Sequence, residues 1–90
     1  MLTSAERKAL KARAHKLDPV VHIGAKGLTD EVIAEIDRAL RTHQLIKVRA
    51  GSMERDARGN AFGSICEKTG AEAVQQVGKV CVLFRKNNDE

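Results

Sequence analysis

One short stretch constrains the fold more than any other. Val20-Val21-His22-Ile23 reads as a buried strand, Gly24-Ala25-Lys26-Gly27 breaks it, and Leu28-Thr29-Asp30-Glu31-Val32 starts a helix immediately afterwards. Two glycines let the backbone reverse within four residues. Thr29 is placed to cap the helix, Leu28 and Ile33 to staple its entry, and Asp30 and Glu31 to complement its dipole. The helix carries a core face of Val32, Ile33, Ile36, Ala39 and Leu40, and His43-Gln44 closes it. A second strand follows over Leu45 to Ala50, with Ile46, Val48 and Ala50 on one face and Lys47 and Arg49 on the other. A strand-helix-strand unit of this size requires parallel pairing and a right-handed crossover.

The rest of the chain has to pack around that unit. Thr3 or Ser4 can cap a first helix running to about His15 or Lys16, and Asp18-Pro19 ends it. Leu10, Ala14 and Leu17 form its apolar seam, while Arg7, Lys11 and His15, with Lys8 beside them, form a basic ridge. A third helix runs from about Arg55 to Thr69, with Ala61, Phe62, Ile65 and Cys66 inward and Gly70 as terminator. Gly59 and Gly63 lie on one face of it, and close packing on the sheet is the expected reason. Ala73 to Val77 and Val80 to Phe84 form a hairpin around Gly78-Lys79, where a leading glycine suits a type II′ turn. Val80-Cys81-Val82-Leu83-Phe84 is apolar on both faces and should be central. The class is α+β: an N-terminal helix followed by β-α-β-α-β-β. Residues 1–86 form one domain, and 87–90 are expected to fray.

Charge is distributed unevenly along this order. The chain has 16 Lys+Arg against 12 Asp+Glu, a net charge of +4. Arg7, Lys8, Lys11, Arg13, Lys16 and Lys26 face only Glu6 and Asp18 within the first 27 residues, whereas residues 28–90 are balanced. A local basic excess that includes the glycine loop implies a polyanionic partner. No apolar run approaches the length of a membrane span, and no hydrophobic signal segment opens the chain, so a cytoplasmic protein is expected. Cys66 and Cys81 lie on apolar segments without a Cys/His cluster and read as reduced core residues.

The glycine loop combines exposed peptide N–H groups, a helix N-terminus and the Lys26 ammonium, the parts of a phosphate clamp. A GxxG loop is also how KH domains clamp a nucleotide backbone. The candidate binding residues are therefore Gly24, Ala25, Lys26 and Gly27, the ridge Arg7, Lys8, Lys11 and His15, and Lys47 and Arg49 as an extension. Asp30 and Glu31 would repel a phosphate on the helix axis, which directs it toward Lys26 and the first helix. His15, His22 and His43 lack metal-ligand spacing, and His22 reads as a core or loop-bracing residue. No nucleophile has an evident base, and Leu28 after Gly27 excludes a P-loop. No enzyme activity, metal, cofactor or small-molecule substrate is expected. Phe62 and Phe84 are the only aromatics besides histidine and both occupy core positions, which argues against a reader that stacks single-stranded bases on aromatic rings.

With these residues in place the chain resembles the CRM domain, the chloroplast RNA splicing and ribosome maturation module, and most of all its stand-alone bacterial YhbY-type members. The resemblance rests on Leu10, Ala14, His15 and Leu17; Pro19-Val20-Val21; Gly24 to Thr29; Ala39-Leu40; His43 to Val48; Thr69-Gly70-Ala71; and Val77-Gly78-Lys79 through Leu83-Phe84-Arg85. Gln44 replaces a usual glutamate and Phe84 a common tyrosine, both away from the loop. The resemblance implies a four-stranded mixed sheet packed with helices, similar to the C-terminal domain of bacterial translation initiation factor 3. It also implies RNA binding and, for stand-alone bacterial members, association with precursors of the large ribosomal subunit. The chain is therefore expected to be a monomeric, non-catalytic protein that reads backbone and shape in structured ribosomal RNA during large ribosomal subunit assembly. The alternative is an adaptor whose basic N-terminal face docks an acidic protein partner.

Overall fold

Thr3 opens the first helix through a closed capping box. Its Oγ1 accepts from the Glu6 N–H at 3.1 Å, and Glu6 Oε1 accepts from the Thr3 N–H at 2.9 Å. The computed structural model describes residues 2–86; the expected fraying of 87–90 lies outside the described residues. Seven elements follow in order: α1 (Ser4–Ala14), β1 (Val21–His22), α2 (Asp30–His43), β2 (Leu45–Arg49), α3 (Arg55–Thr69), β3 (Glu72–Val77) and β4 (Val80–Phe84). The sheet order is β1-β2-β4-β3, with β1 parallel to β2 and the other pairings antiparallel. The expected mixed sheet with β4 at its centre is the observed one.

The sheet divides two cores. On one face Val21, Ile23, Ile46, Val48, Cys81 and Leu83 pack with Ile36 and Leu40 of α2 and Phe62 and Ile65 of α3. On the other, Leu45, Val74 and Val82 pack with Leu10 and Ala14 of α1. Alternation along β2 and β4 sends successive side chains to opposite cores, which is why β4 is apolar throughout. A register shift between Ala73 and Gln75 interrupts β3. It brings Val74 into the α1 core while Gln75, opposite Val82, stays on the same face.

The structure corrects several expectations. Leu17 does not extend the α1 seam; the helix ends at Ala14 and Leu17 is exposed beyond it. β1 has two residues rather than four, and Val20 is exposed. Gly59 and Gly63 do not pack on the sheet. Both are exposed, and a Cβ built on either would meet nothing within 4 Å. The periodicity placed them on one helix face correctly, but that face points to solvent. At the hairpin, Gly78 takes a φ of +56°, as the expected turn requires.

Candidate nucleic-acid interface

β1 joins the sheet by two backbone bonds that flank it. Val20 N–H donates to Lys47 O at 3.0 Å, and Ile23 N–H donates to Arg49 O at 2.8 Å. Gly24 follows at once, so the glycine loop leaves the sheet where β2 ends. Ala50 N–H donates to Lys79 O at 2.8 Å, which brings the hairpin turn to that same end. Three cation-bearing segments therefore share one end of the sheet: the loop with Lys26, the end of β2 with Arg49, and the turn with Lys79.

Within the loop, Gly27 N–H closes a turn on Gly24 O at 3.0 Å, and Gly27 adopts a φ of +75°. Its N–H is thus consumed internally and cannot serve a ligand as the sequence suggested. The N–H groups of Ala25 and Lys26 make no hydrogen bond among the described residues, and both residues are exposed. These two N–H groups and the Lys26 ammonium are what the loop can offer an anion. Gly24 does not adopt a positive φ, and a Cβ there would meet nothing within 4 Å. The fold itself does not require glycine at that position. Gly27 closes the turn; Gly24 leaves the surface open.

The face of the sheet that carries α1 supplies the second component. Arg49 pairs with His22 across the parallel register, so both side chains project on the α1 side, while Val21 and Val48 point into the opposite core. His22 is exposed, which overturns the core half of the expectation that it is a core or loop-bracing residue. Strict alternation between buried Val21 and Ile23 carried that information. Arg49 Nε lies 3.3 Å from where a Cβ on Gly51 would stand, so the absence of a side chain at Gly51 makes room for the guanidinium. Lys47 and Arg49 form the β2 wall of a groove of about 510 Å³, and Lys11 of α1 and His15 at its C-cap form the opposite wall. The hairpin contributes Gln75, Val77 and Val80 to the same groove, and among the described residues Asp18 is the one acid lining it. Sequence reasoning missed Gln75, Val77 and Val80, since no charge or motif distinguishes them.

Arg7 and Lys8 do not join this constellation. Arg7 Nη1 donates to Ala73 O at 2.7 Å and Val74 O at 3.1 Å, the two carbonyls at the β3 irregularity. It anchors α1 to the sheet, which corrects its placement on a solvent-facing ridge. A carbonyl displaced from regular pairing needs a donor, and a charged one makes a strong bond. Lys8 is exposed and does not line the groove. Among the described residues no cluster of three His, Cys, Asp or Glu could hold a metal ion, and no helix is long and apolar enough to cross a membrane. Burial pushes the Cys81 thiol up to about 12, as expected of a core cysteine, and raises that of half-buried Cys66.

The profile of the CRS1/YhbY (CRM) domain matches residues 2–85. The chain belongs to this family. A probable RNA-binding protein of Pseudomonas aeruginosa is 40% identical over 86 residues, covering 96% of this chain and 83% of that protein. An RNA-binding protein of Haemophilus influenzae is 39% identical over 88 residues, covering 98% and 89%. The solution structure of a Staphylococcus aureus protein superposes with a TM-score of 0.84 at 31% identity, covering 99% of this chain and 93% of that one. In this CRM domain Arg49 lines the groove and also pairs with His22, two residues before the glycine loop, in the parallel register of β1 and β2.

Proposed function

We propose that this CRM domain binds structured RNA without catalysing a reaction, and that its RNA is ribosomal RNA in precursors of the large ribosomal subunit. One observation carries the RNA-binding part: Lys11 of α1, His15 at its C-cap, and Lys47 and Arg49 of β2 converge on one groove, and Arg49 pairs with His22 on the strand from which the glycine loop leaves the sheet. Phosphates lie against these cations, and the free N–H groups of Ala25 and Lys26 receive the backbone where it passes the loop. Relatives named as RNA-binding proteins support the same reading. The ribosomal assignment rests on the resemblance to stand-alone bacterial members of the family. Crosslinking the protein to RNA in cells and sequencing the crosslinked fragments tests it. Crosslinks concentrated in large-subunit ribosomal RNA are expected; crosslinks dispersed over unrelated transcripts would refute the ribosomal assignment. Association with a protein partner that survives nuclease treatment would favour the adaptor instead.

A further inference from the structure

The groove has a floor that phosphate binding does not use. α1 ends at Ala14, so the apolar row on its side of the sheet continues past the helix into the open. Val82 is buried beneath α1, Val80 is half-buried, and Val77 is 61% exposed. Val80 pairs with Arg49 on one side and Val77 on the other; Val82 pairs with Lys47 and Gln75. Adjacent strands are about 4.8 Å apart. A valine floor therefore has guanidinium and ammonium groups on one flank and a carboxamide on the other, with His15 across the groove.

We propose that this floor receives one unpaired nucleotide of the bound RNA, its base lying on Val77 and Val80. The proposal rests on the RNA-binding reading above and names the feature of RNA that is read. A nucleobase combines an apolar face with a polar edge, and its phosphate follows within the same nucleotide. Val77 and Val80 meet the face, the Gln75 amide and the His15 imidazole can hydrogen-bond the edge, and Lys47 and Arg49 hold the phosphate. A volume of about 510 Å³ falls within the range of small-ligand sites. A continuous duplex stacks its bases and offers no face to such a floor, so the class of ligand is a bulged or looped-out residue. Cations predominate in the lining, with Asp18 the single acid among the described residues, which favours an anionic occupant whose charge sits toward β2.

Two fluorescein-labelled RNA hairpins test the proposal, identical except that one carries a single unpaired uridine in its stem. Titrated with the full chain at one fixed salt concentration, the bulged hairpin should bind about fivefold or more tightly than the paired one. The variant Val77→Thr/Val80→Thr keeps β-branched shape and charge while making the floor polar, and should bring that ratio close to one. In the unaltered protein, the methyl resonances of Val77 and Val80 should shift with the bulged hairpin and stay in place with the paired one. Equal binding of both hairpins would overturn the nucleotide subsite and leave RNA binding standing. A preference that survives in the double variant, or methyl resonances unmoved by the bulged hairpin, would overturn it as well. If neither hairpin binds at low salt, both readings fall and an acidic protein partner becomes the better occupant.

Discussion

His22 and Arg49 stand opposite each other in the parallel register of β1 and β2, and both project toward α1. That pairing ties the glycine loop, which begins two residues after His22, to the wall of the groove that Arg49 helps form. A one-residue slip in β1 would turn His22 inward and carry Val21 out of the core, so the burial of Val21 and Ile23 sets the position of the loop.

The two loop glycines should respond differently to alanine. Gly24→Ala meets open space without a positive φ, so stability should stay within about 0.5 kcal/mol. RNA affinity should fall, because the added methyl stands where a phosphate backbone approaches. Gly27→Ala forces a left-handed residue and should cost about 1 kcal/mol. Lys26→Ala should weaken RNA binding with normal folding. Chemical denaturation alongside RNA titration separates these effects; unchanged affinity in both Gly24→Ala and Lys26→Ala would remove the loop from the site.

Arg7 and Lys11 lie one turn apart on α1 yet should behave as different kinds of residue. Arg7→Ala leaves the Ala73 and Val74 carbonyls without their donor and should destabilise the domain by about 1–3 kcal/mol. Lys11→Ala should scarcely change stability. With four to six phosphate contacts, the slope of log affinity on log salt should be roughly −3 to −5, and Lys11→Ala, Lys47→Ala and Arg49→Ala should each make it shallower by about 1. A slope near zero would contradict a phosphate-based interface.

Gly59→Ala and Gly63→Ala should each stabilise α3. Neither glycine has a positive φ, and neither site is crowded, so alanine removes backbone entropy from the unfolded chain without a steric penalty. A gain of about 1 kcal/mol each should raise the melting temperature by roughly 4–8 °C. A loss of stability would mean that the face is occupied in solution.

Asp37 should make the domain acid-sensitive. Its carboxylate accepts from Arg85 Nη1 at 2.6 Å, with Arg41 at 3.1 Å, and the hydrogen bond from Arg85 is the main cause of a pKa held below 3.8. A depressed folded value adds stability that is complete above the unfolded pKa and is lost as pH falls through the folded one. Asp37→Asn should therefore cost about 1 kcal/mol at pH 7, a modest figure because the pair is partly exposed. The difference from the parent should disappear in strong acid. A constant difference from pH 7 to 2 would show that packing, not charge, accounts for it.

Local patterning was enough to define most elements. The capping threonines, the glycine at the end of α3 and the alternation in β2 are decided by residues within a few positions of one another, so Thr29, Gly70 and Lys47-Val48-Arg49 could be read directly. The glycine loop was legible for the same reason. Tertiary structure decided what depends on residues distant in sequence. Arg7 anchors α1 to the sheet because an irregularity some 66 positions later presents two carbonyls to it. Gly59 and Gly63 face solvent because α3 uses its other side against the sheet. The groove exists because α1 stops at Ala14 before it covers Val80 and Val77, and helix length relative to the sheet beneath it is written in no single segment.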